Sequence, residues 1–243
     1  MKNFTKLGAK INTKIGKAIN DHALIKDGDH ILAAVSGGKD SLTMLYFLKE
    51  IRSWAPIKFN VTAIHVKTDF SCGGCMHETT ISDTLRKMDI KCVFKDIKVL
   101  DEKGQTSCFW CSWNRRKAFF EAAEELGCNK IALGHHKDDI AETILMNLLY
   151  KGEISGMNPY QDLFGGKLAI IRPLCYIEEE RIIAFAEETG FPKQKCKCPF
   201  GKTSERKHIK AFIKSTEEKL PGTGIRTNIV KSLSRIKNEY TLT

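Results

Sequence analysis

The chain has 243 residues and a mass of 27.4 kDa, with 42% apolar residues, enough to bury a sizeable core in one large domain. It holds no run of about 20 uncharged apolar residues, as a membrane-spanning helix needs, and its opening MKNFTKLGAKINTK lacks the apolar stretch of a secretory signal. Nine cysteines over this length are too sparse for a disulfide scaffold, which points to metal-binding or catalytic thiols in a reducing cytoplasm.

The formal net charge of +10 is unevenly placed. Residues 1–26 carry six lysines and one aspartate, residues 193–243 carry thirteen Lys/Arg and four glutamates, and the stretch between them is net −4. Basic ends around a near-neutral body read as an enzyme core with polyanion-gripping extensions; solvated helix faces are the bland alternative.

Lys2, Lys6, Lys10 and Lys14 recur every four residues, while Phe4, Leu7, Ile11, Ile15 and Ala18 repeat at helical spacing. This predicts an amphipathic N-terminal helix, segment 1–26, with lysines on its outer face. Strands are expected at 30–36, 61–68, 92–99, 130–135 and 168–174, alternating with helices at 41–53, 112–126, 138–151 and 177–189. Near-continuously apolar strands between helices predict an α/β fold over 27–192: an open, mostly parallel sheet with helices on both faces. From about 193 the chain becomes basic, opens with a cysteine pair and continues in two short helices.

The first strand runs straight into Ser36-Gly37-Gly38-Lys39-Asp40-Ser41, and a helix starts at once. Glycines let backbone N–H groups approach a ligand, the helix N-terminus adds partial positive charge, and Lys39 adds a full one. Ser36 and Ser41 supply hydroxyls. The spacing is neither that of the Gly-x4-Gly-Lys-Ser/Thr loop nor that of a dinucleotide fingerprint. A second cluster, Gly134-His135-His136-Lys137-Asp138-Asp139, follows the fourth predicted strand and opens another helix. It falls where open α/β sheets bind ligands, and Asp139 suits Mg²⁺. Capping and dipole pairing are its structural alternative. Cys108-Phe-Trp-Cys111 precedes a helix bearing Arg115, Arg116 and Lys117. Two thiols at this spacing serve a cluster, a zinc knuckle completed by Cys72 and Cys75, or a redox dithiol. Cys92, Cys128 and Cys175 lie in apolar patterns and read as inert. We read Phe109 and Trp110 as core residues, with base stacking as the alternative.

Ser-Gly-Gly-Lys-Asp-Ser resembles the PP-loop of the N-type ATP pyrophosphatases. The stretches KLGAKINTKIGKAINDHALIKDGDHILAAVSGGKDSLTML and CSWNRRKAFFEAAEELGCNKIALGHHKDDIAETILMNLLYKGEISGMNP, followed by FPKQKCKCPF, resemble the tRNA 2-thiocytidine biosynthesis proteins. That resemblance implies an adenine-nucleotide α-hydrolase-like fold and ATP-dependent sulfur transfer to C2 of a cytidine at tRNA position 32. It implies ATP, Mg²⁺ and a [4Fe–4S] cluster as cofactors, tRNA and a sulfur donor (a cysteine desulfurase or sulfide) as partners, and a homodimer in the cytoplasm. The nucleotide set becomes Ser36, Gly37, Gly38, Lys39, Asp40, Ser41, His65, Gly134, His135, Asp139 and Arg172, with Lys39, Asp40 and Asp139 catalytic. The resemblance implies three cluster cysteines: Cys108, Cys111 and one of the tail pair Cys196 and Cys198. The expected one is Cys198, because it stands eight residues before Arg206 as the family's tail cysteine does, which leaves Cys196 as the alternative ligand or a sulfur-accepting thiol. Cys72, Cys75 and His77 fall outside that pattern and are expected to form a sulfur relay or a small local metal site. Thiolation of a uridine, or a PP-loop ligase with structural zinc, are the competing functions; an RNA-binding metal or redox sensor is the non-catalytic one.

Overall fold

The computed structural model describes residues 4–70, 78–193, 205–237 and 239. Helix α1 (Lys6–Asp21) starts where Thr5 Oγ1 accepts the N–H of Gly8 at 3.1 Å, and it buries Gly8, Ile11, Ile15 and Ala18. There follow β1 (His30–Ala34), α2 (Lys39–Trp54), β2 (Asn60–Thr68), α3 (Glu78–Lys87), β3 (Cys92–Ile97), α4 (Cys108–Glu125) and β4 (Lys130–Ala132). The chain continues with α5 (Lys137–Met146), β5 (Tyr160–Leu163), β6 (Leu168–Ile171), α6 (Glu179–Glu188), α7 (Glu205–Lys219) and α8 (Ile225–Ser232).

The six strands form one sheet in the order β3-β2-β1-β4-β6-β5. All neighbours are parallel except β5, which pairs antiparallel with β6. Alternation along the strands divides the core. Ile31, Ala33, Val61 and Ala63 belong to the cluster that holds the buried residues of α1, α2 and α6. Leu32, Ile64, Val66, Ile131 and Ile170 pack instead with Ala118, Ala122 and Ala123 of α4. Both faces are thus covered, as a parallel sheet requires. The chain proceeds outward from β1 through β2 to β3, then returns to β4 on the other side of β1. Strand order therefore switches direction between β1 and β4, and a crevice opens there at the carboxyl ends.

The sequence-derived strands and helices are present with shifted ends. Helix α3 was not anticipated, since its ETTISDTLRK offers only Ile81 and Leu85 to the core; nor was the four-residue strand β5. Helix α4 begins at Cys108 rather than 112, because Ser107 Oγ accepts the N–H of Trp110 at 3.1 Å. The helix expected at 138–151 is α5 plus a π-helical turn, Asn147–Lys151, ended by Gly152 at φ 67°. The tail helices pack onto the body: Ile209 and Ile213 of α7 contact Ala141 of α5, with Ile229 and Val230 of α8 alongside. Among the described residues, no helix is long and apolar enough to cross a membrane.

Candidate nucleotide cleft and cysteine helix

At the end of β1 the chain turns through Ser36-Gly37-Gly38. Gly37 has φ 86°, a left-handed conformation that a side chain disfavours. Ser41 Oγ accepts the N–H of Ser36 (3.2 Å) and donates to the carbonyl of Gly38 (2.9 Å), while the N–H of Gly38 donates to Ser36 Oγ (3.3 Å). These bonds fold the loop onto the start of α2. Gly38, the N-cap, brings no capping side chain. The first-turn N–H groups therefore stay open to an anionic ligand. Lys39 Nζ lies 3.1 Å from Asp40 Oδ1 and 3.2 Å from Glu179 Oε1. Burial opposes its charge, but Asp40 and Glu179 outweigh this and raise its pKa.

Gly134 joins the second cluster to this loop. A Cβ there would stand 3.0 Å from Ser41 N and 3.1 Å from the carbonyl carbon of Asp40, so only glycine fits without displacing backbone. Beside it, His136 is buried among three carboxylates. Its Nε2 is 3.4 Å from Asp139 Oδ2 and 3.7 Å from Asp40 Oδ1, and its Nδ1 is 3.6 Å from Asp138 Oδ2. Desolvation alone would lower the His136 pKa; the carboxylates raise it instead. His135 behaves oppositely. Burial pushes its pKa down to about 4, with Asp139 opposing and Arg172 and Arg206 reinforcing the fall. Arg172 Nε donates to His135 Nδ1 at 3.3 Å, so the neutral ring carries its proton on Nε2. Arg172 is in turn fixed by the carbonyl of Asn158 and by Gln161 Oε1 at 3.5 Å.

The resulting cleft holds about 330 Å³ and is lined by Ser36, Asp40, Ser41, Gly134, His135 and Asp139. Arg115 and Phe119 of α4, which the sequence did not single out as site residues, also line it. The Nε of Arg115 is buried and has no hydrogen-bond partner. Two members of the expected set stand behind the cleft rather than in it. Arg172 supports His135, and His65 is buried beneath the loop, its Nδ1 donating to the carbonyl of Val35 at 2.7 Å. Gly37, Gly38 and Lys39 sit on the loop itself.

The basic ends are less free than their charge suggests. Arg206 Nη1 meets Asp139 Oδ1 at 3.1 Å and Glu142 Oε2 at 3.4 Å, and its Nη2 bonds Thr143 Oγ1 at 3.3 Å. Lys210 pairs with Glu179, and Arg226 Nε lies 2.7 Å from Asp138 Oδ1. In α1, Lys14 turns inward to Glu178 at 2.7 Å rather than lying on an outer lysine stripe. Sequence alone distinguishes none of these cations from their solvated neighbours; Arg206 was visible only as a register mark and Glu179 as one of three consecutive glutamates.

Cys108 and Cys111 occupy the first turn of α4, Cys108 exposed and Cys111 half-buried. Cys72, Cys75, His77, Cys196 and Cys198 lie outside the described residues. Among the described residues no group of three or more His, Cys, Asp or Glu is gathered for a metal. Burial pushes the thiols of Cys92 and Cys128 up to about 11 and that of Cys175 to about 12, as expected of inert cysteines. The core assignment of Phe109 and Trp110 is wrong. Phe109 is 75% exposed and Trp110 46%, because burial in α4 begins only at Ala118.

Residues 7–194 match the PP-loop domain family. A tRNA-cytidine(32) 2-sulfurtransferase of Syntrophotalea carbinolica is 35% identical over 245 residues, covering 98% of this chain and 93% of that protein. The chain belongs to this sulfurtransferase family. Its member from Geobacter sulfurreducens is 33% identical over 241 residues, covering 96% of this chain and 92% of its own length. Among solved structures, the U34-tRNA thiolase NcsA from Methanococcus maripaludis with its [4Fe–4S] cluster superposes with a TM-score of 0.75 at 24% identity, over 94% of this chain and 78% of that one. NMN synthetase from Francisella tularensis matches with a TM-score of 0.52 at 11% identity. Both likenesses concern the fold alone.

Proposed function

We propose that the protein replaces the C2 oxygen of a tRNA pyrimidine with sulfur at the expense of ATP, and that the base is cytidine 32 of the anticodon loop. The observation that carries this reading is one helix serving two sites: α4 begins with Cys108 and Cys111 and, one turn on, sends Arg115 into the cleft formed by the two phosphate motifs. The relatives' name supports the choice of cytidine 32.

ATP phosphates would rest on the uncapped N–H groups of α2, with Lys39 neutralising charge. Asp40 and Asp139 are the oxygen ligands at hand for the accompanying Mg²⁺, which binds through few carboxylates and keeps substrate oxygens. The base O2 attacks the α-phosphorus and pyrophosphate leaves. Sulfur then attacks C2, and AMP departs with the original oxygen, converting a poor leaving group into a good one. Neutral His135, held by Arg172, presents Nε2–H as a hydrogen-bond donor and leaves positive charge to Lys39 and Arg115. For the cluster, the test of fit is the donor set: two thiols accessible on a helix N-terminus, followed by Arg115, Arg116 and Lys117, suit an anionic group. Cys108 and Cys111 would hold it with Cys198, and when bound it supplies a thiophilic iron for sulfur. The sulfur donor is a cysteine desulfurase or sulfide; a cytoplasmic homodimer belongs to the same proposal.

The test is the nucleoside content of bulk tRNA from a deletion strain, complemented with variants. Loss of 2-thiocytidine, restored by wild type but not by Lys39→Ala or Asp139→Ala, is the expected result. Loss of 2-thiouridine instead would move the target to a uridine, and unchanged thionucleosides would sink the proposal. Both variants should retain iron and tRNA binding.

A further inference from the structure

Helix α4 shows a second face that the reaction does not use. The rings of Trp110 and Trp113 stack at a centroid distance of 5.4 Å and an interplanar angle of 5°. Lys117 Nζ lies 5.9 Å from the centre of the Trp113 ring. Trp110 approaches Trp113 from the preceding turn and Lys117 from the following one, so Trp110 ends the ladder. Both tryptophans remain nearly half exposed, at 46% and 47%. From Cys108 to Phe120 the helix carries Arg115, Arg116 and Lys117 and no acidic residue.

We propose that the Trp110–Trp113 ladder is a stacking platform for an unpaired base of the tRNA loop. The inference rests on the tRNA-thiolase reading and adds a contact that reading does not require. A planar ring pair, pre-ordered and wet, matches the π-face of an unstacked base, and adjacent cations match its phosphates. A protein partner would be expected to meet a broader apolar patch. At about 100° per residue, the ladder lies roughly on the opposite side of α4 from Arg115, which lines the cleft. The stacked base is therefore a neighbour of the reacting one. The helix is only about 10–12 Å across, so a single-stranded loop straddling it places one base on each side.

The experiment uses the full chain, purified anaerobically, with Trp54 replaced by phenylalanine. Since the chain has three tryptophans, the ladder then supplies all the tryptophan emission. An anticodon stem-loop RNA is titrated against this protein and against Trp110→Ala, Trp110→Phe and Trp113→Ala versions of it. The loop RNA should quench emission, and a blunt duplex of equal length should not. Trp110→Ala should weaken binding roughly 5- to 100-fold, the range of one lost base–aromatic stack. Trp110→Phe should restore most of it, and KM for tRNA should rise while ATP affinity and iron content hold. Equal affinity in all variants, or equal quenching by duplex, would overturn the platform while leaving the thiolase reading intact. A wild-type protein that binds no tRNA would overturn both. A change of oligomeric state in Trp110→Ala would make the ladder a self-interface and likewise overturn the proposal.

Discussion

Replacing Gly134 with alanine probes the contact on which the cleft depends. The backbone there has no positive φ, so alanine is conformationally acceptable and only the added methyl matters. That methyl would meet Ser41 N at 3.0 Å, the carbonyl carbon of Asp40 at 3.1 Å and its oxygen at 3.2 Å. These are backbone atoms of the phosphate loop, not flexible side-chain ends, so the two loops must separate by several tenths of an ångström. Overpacking of this kind costs about 1–3 kcal/mol. For a chain of this size that lowers Tm by roughly 3–10 °C. The separation also moves the α2 N-terminus against Asp139, and ATP affinity should drop at least about tenfold, or about 1.4 kcal/mol. Thermal unfolding with and without ATP, together with equilibrium nucleotide binding, reads both effects. A Gly134→Ala protein with wild-type Tm and wild-type ATP affinity would refute the close approach.

Glu178 bridges α1, α5 and α6 through Lys14 (2.7 Å), Lys137 (3.1 Å) and Arg181 (3.0 Å). Burial alone would raise its pKa, but Lys14 and Lys137 hold it down to about 2 against a usual 4.5. The stability it supplies is complete above pH 4.5 and lost as pH falls toward 2, so Glu178→Gln should cost at most about 3 kcal/mol at pH 7 and converge with wild type in acid denaturation; a pH-independent deficit would contradict this. Arg206→Ala leaves the buried Glu142 and the half-buried Asp139 without their shared cation. Because Arg206 is partly exposed, the expected loss is about 1–2 kcal/mol, while the Mg²⁺ needed for half-maximal ATP turnover should fall as a competitor for Asp139 disappears. An unchanged Mg²⁺ requirement would show that Arg206 and the metal do not compete. Peptide mapping after maleimide treatment of the metal-free native protein should find Cys108 and Cys111 labelled and Cys128 and Cys175 untouched; fast labelling of Cys175 would contradict its burial.

What the sequence disclosed was local. Strands such as HILAA are apolar on both faces and so declare a covered parallel sheet, and Ser-Gly-Gly-Lys-Asp-Ser declares its loop through glycines no ordinary turn needs side by side. Long-range partners leave no such mark. Arg206 and Asp139 are ion-paired across sixty-seven positions, and nothing in a basic, helical stretch separates that arginine from a solvated one. Arg115 faces the cleft only because Ala118 and Ala122 set the rotation of α4 on the sheet. The same rotation exposes Trp110, whose apolar character alone favoured the core. His65 lies in β2 and Arg172 directly follows β6, yet their hydrogen bonds to Val35 and His135 make them supports for the site and not its lining.

Helix α4 works as a single indexed shaft. Its 18 residues extend about 27 Å as one uninterrupted rod. Thiols, cleft arginine and tryptophan pair are mounted on it at fixed angular offsets, so none can be re-aimed without re-aiming the others. Insertion of one residue after Cys111 would swing everything beyond it by about 100° relative to the cysteines. A substitution at one mounting point leaves the others aimed as they are, whereas a change in the spacing between them re-aims all that lie beyond it.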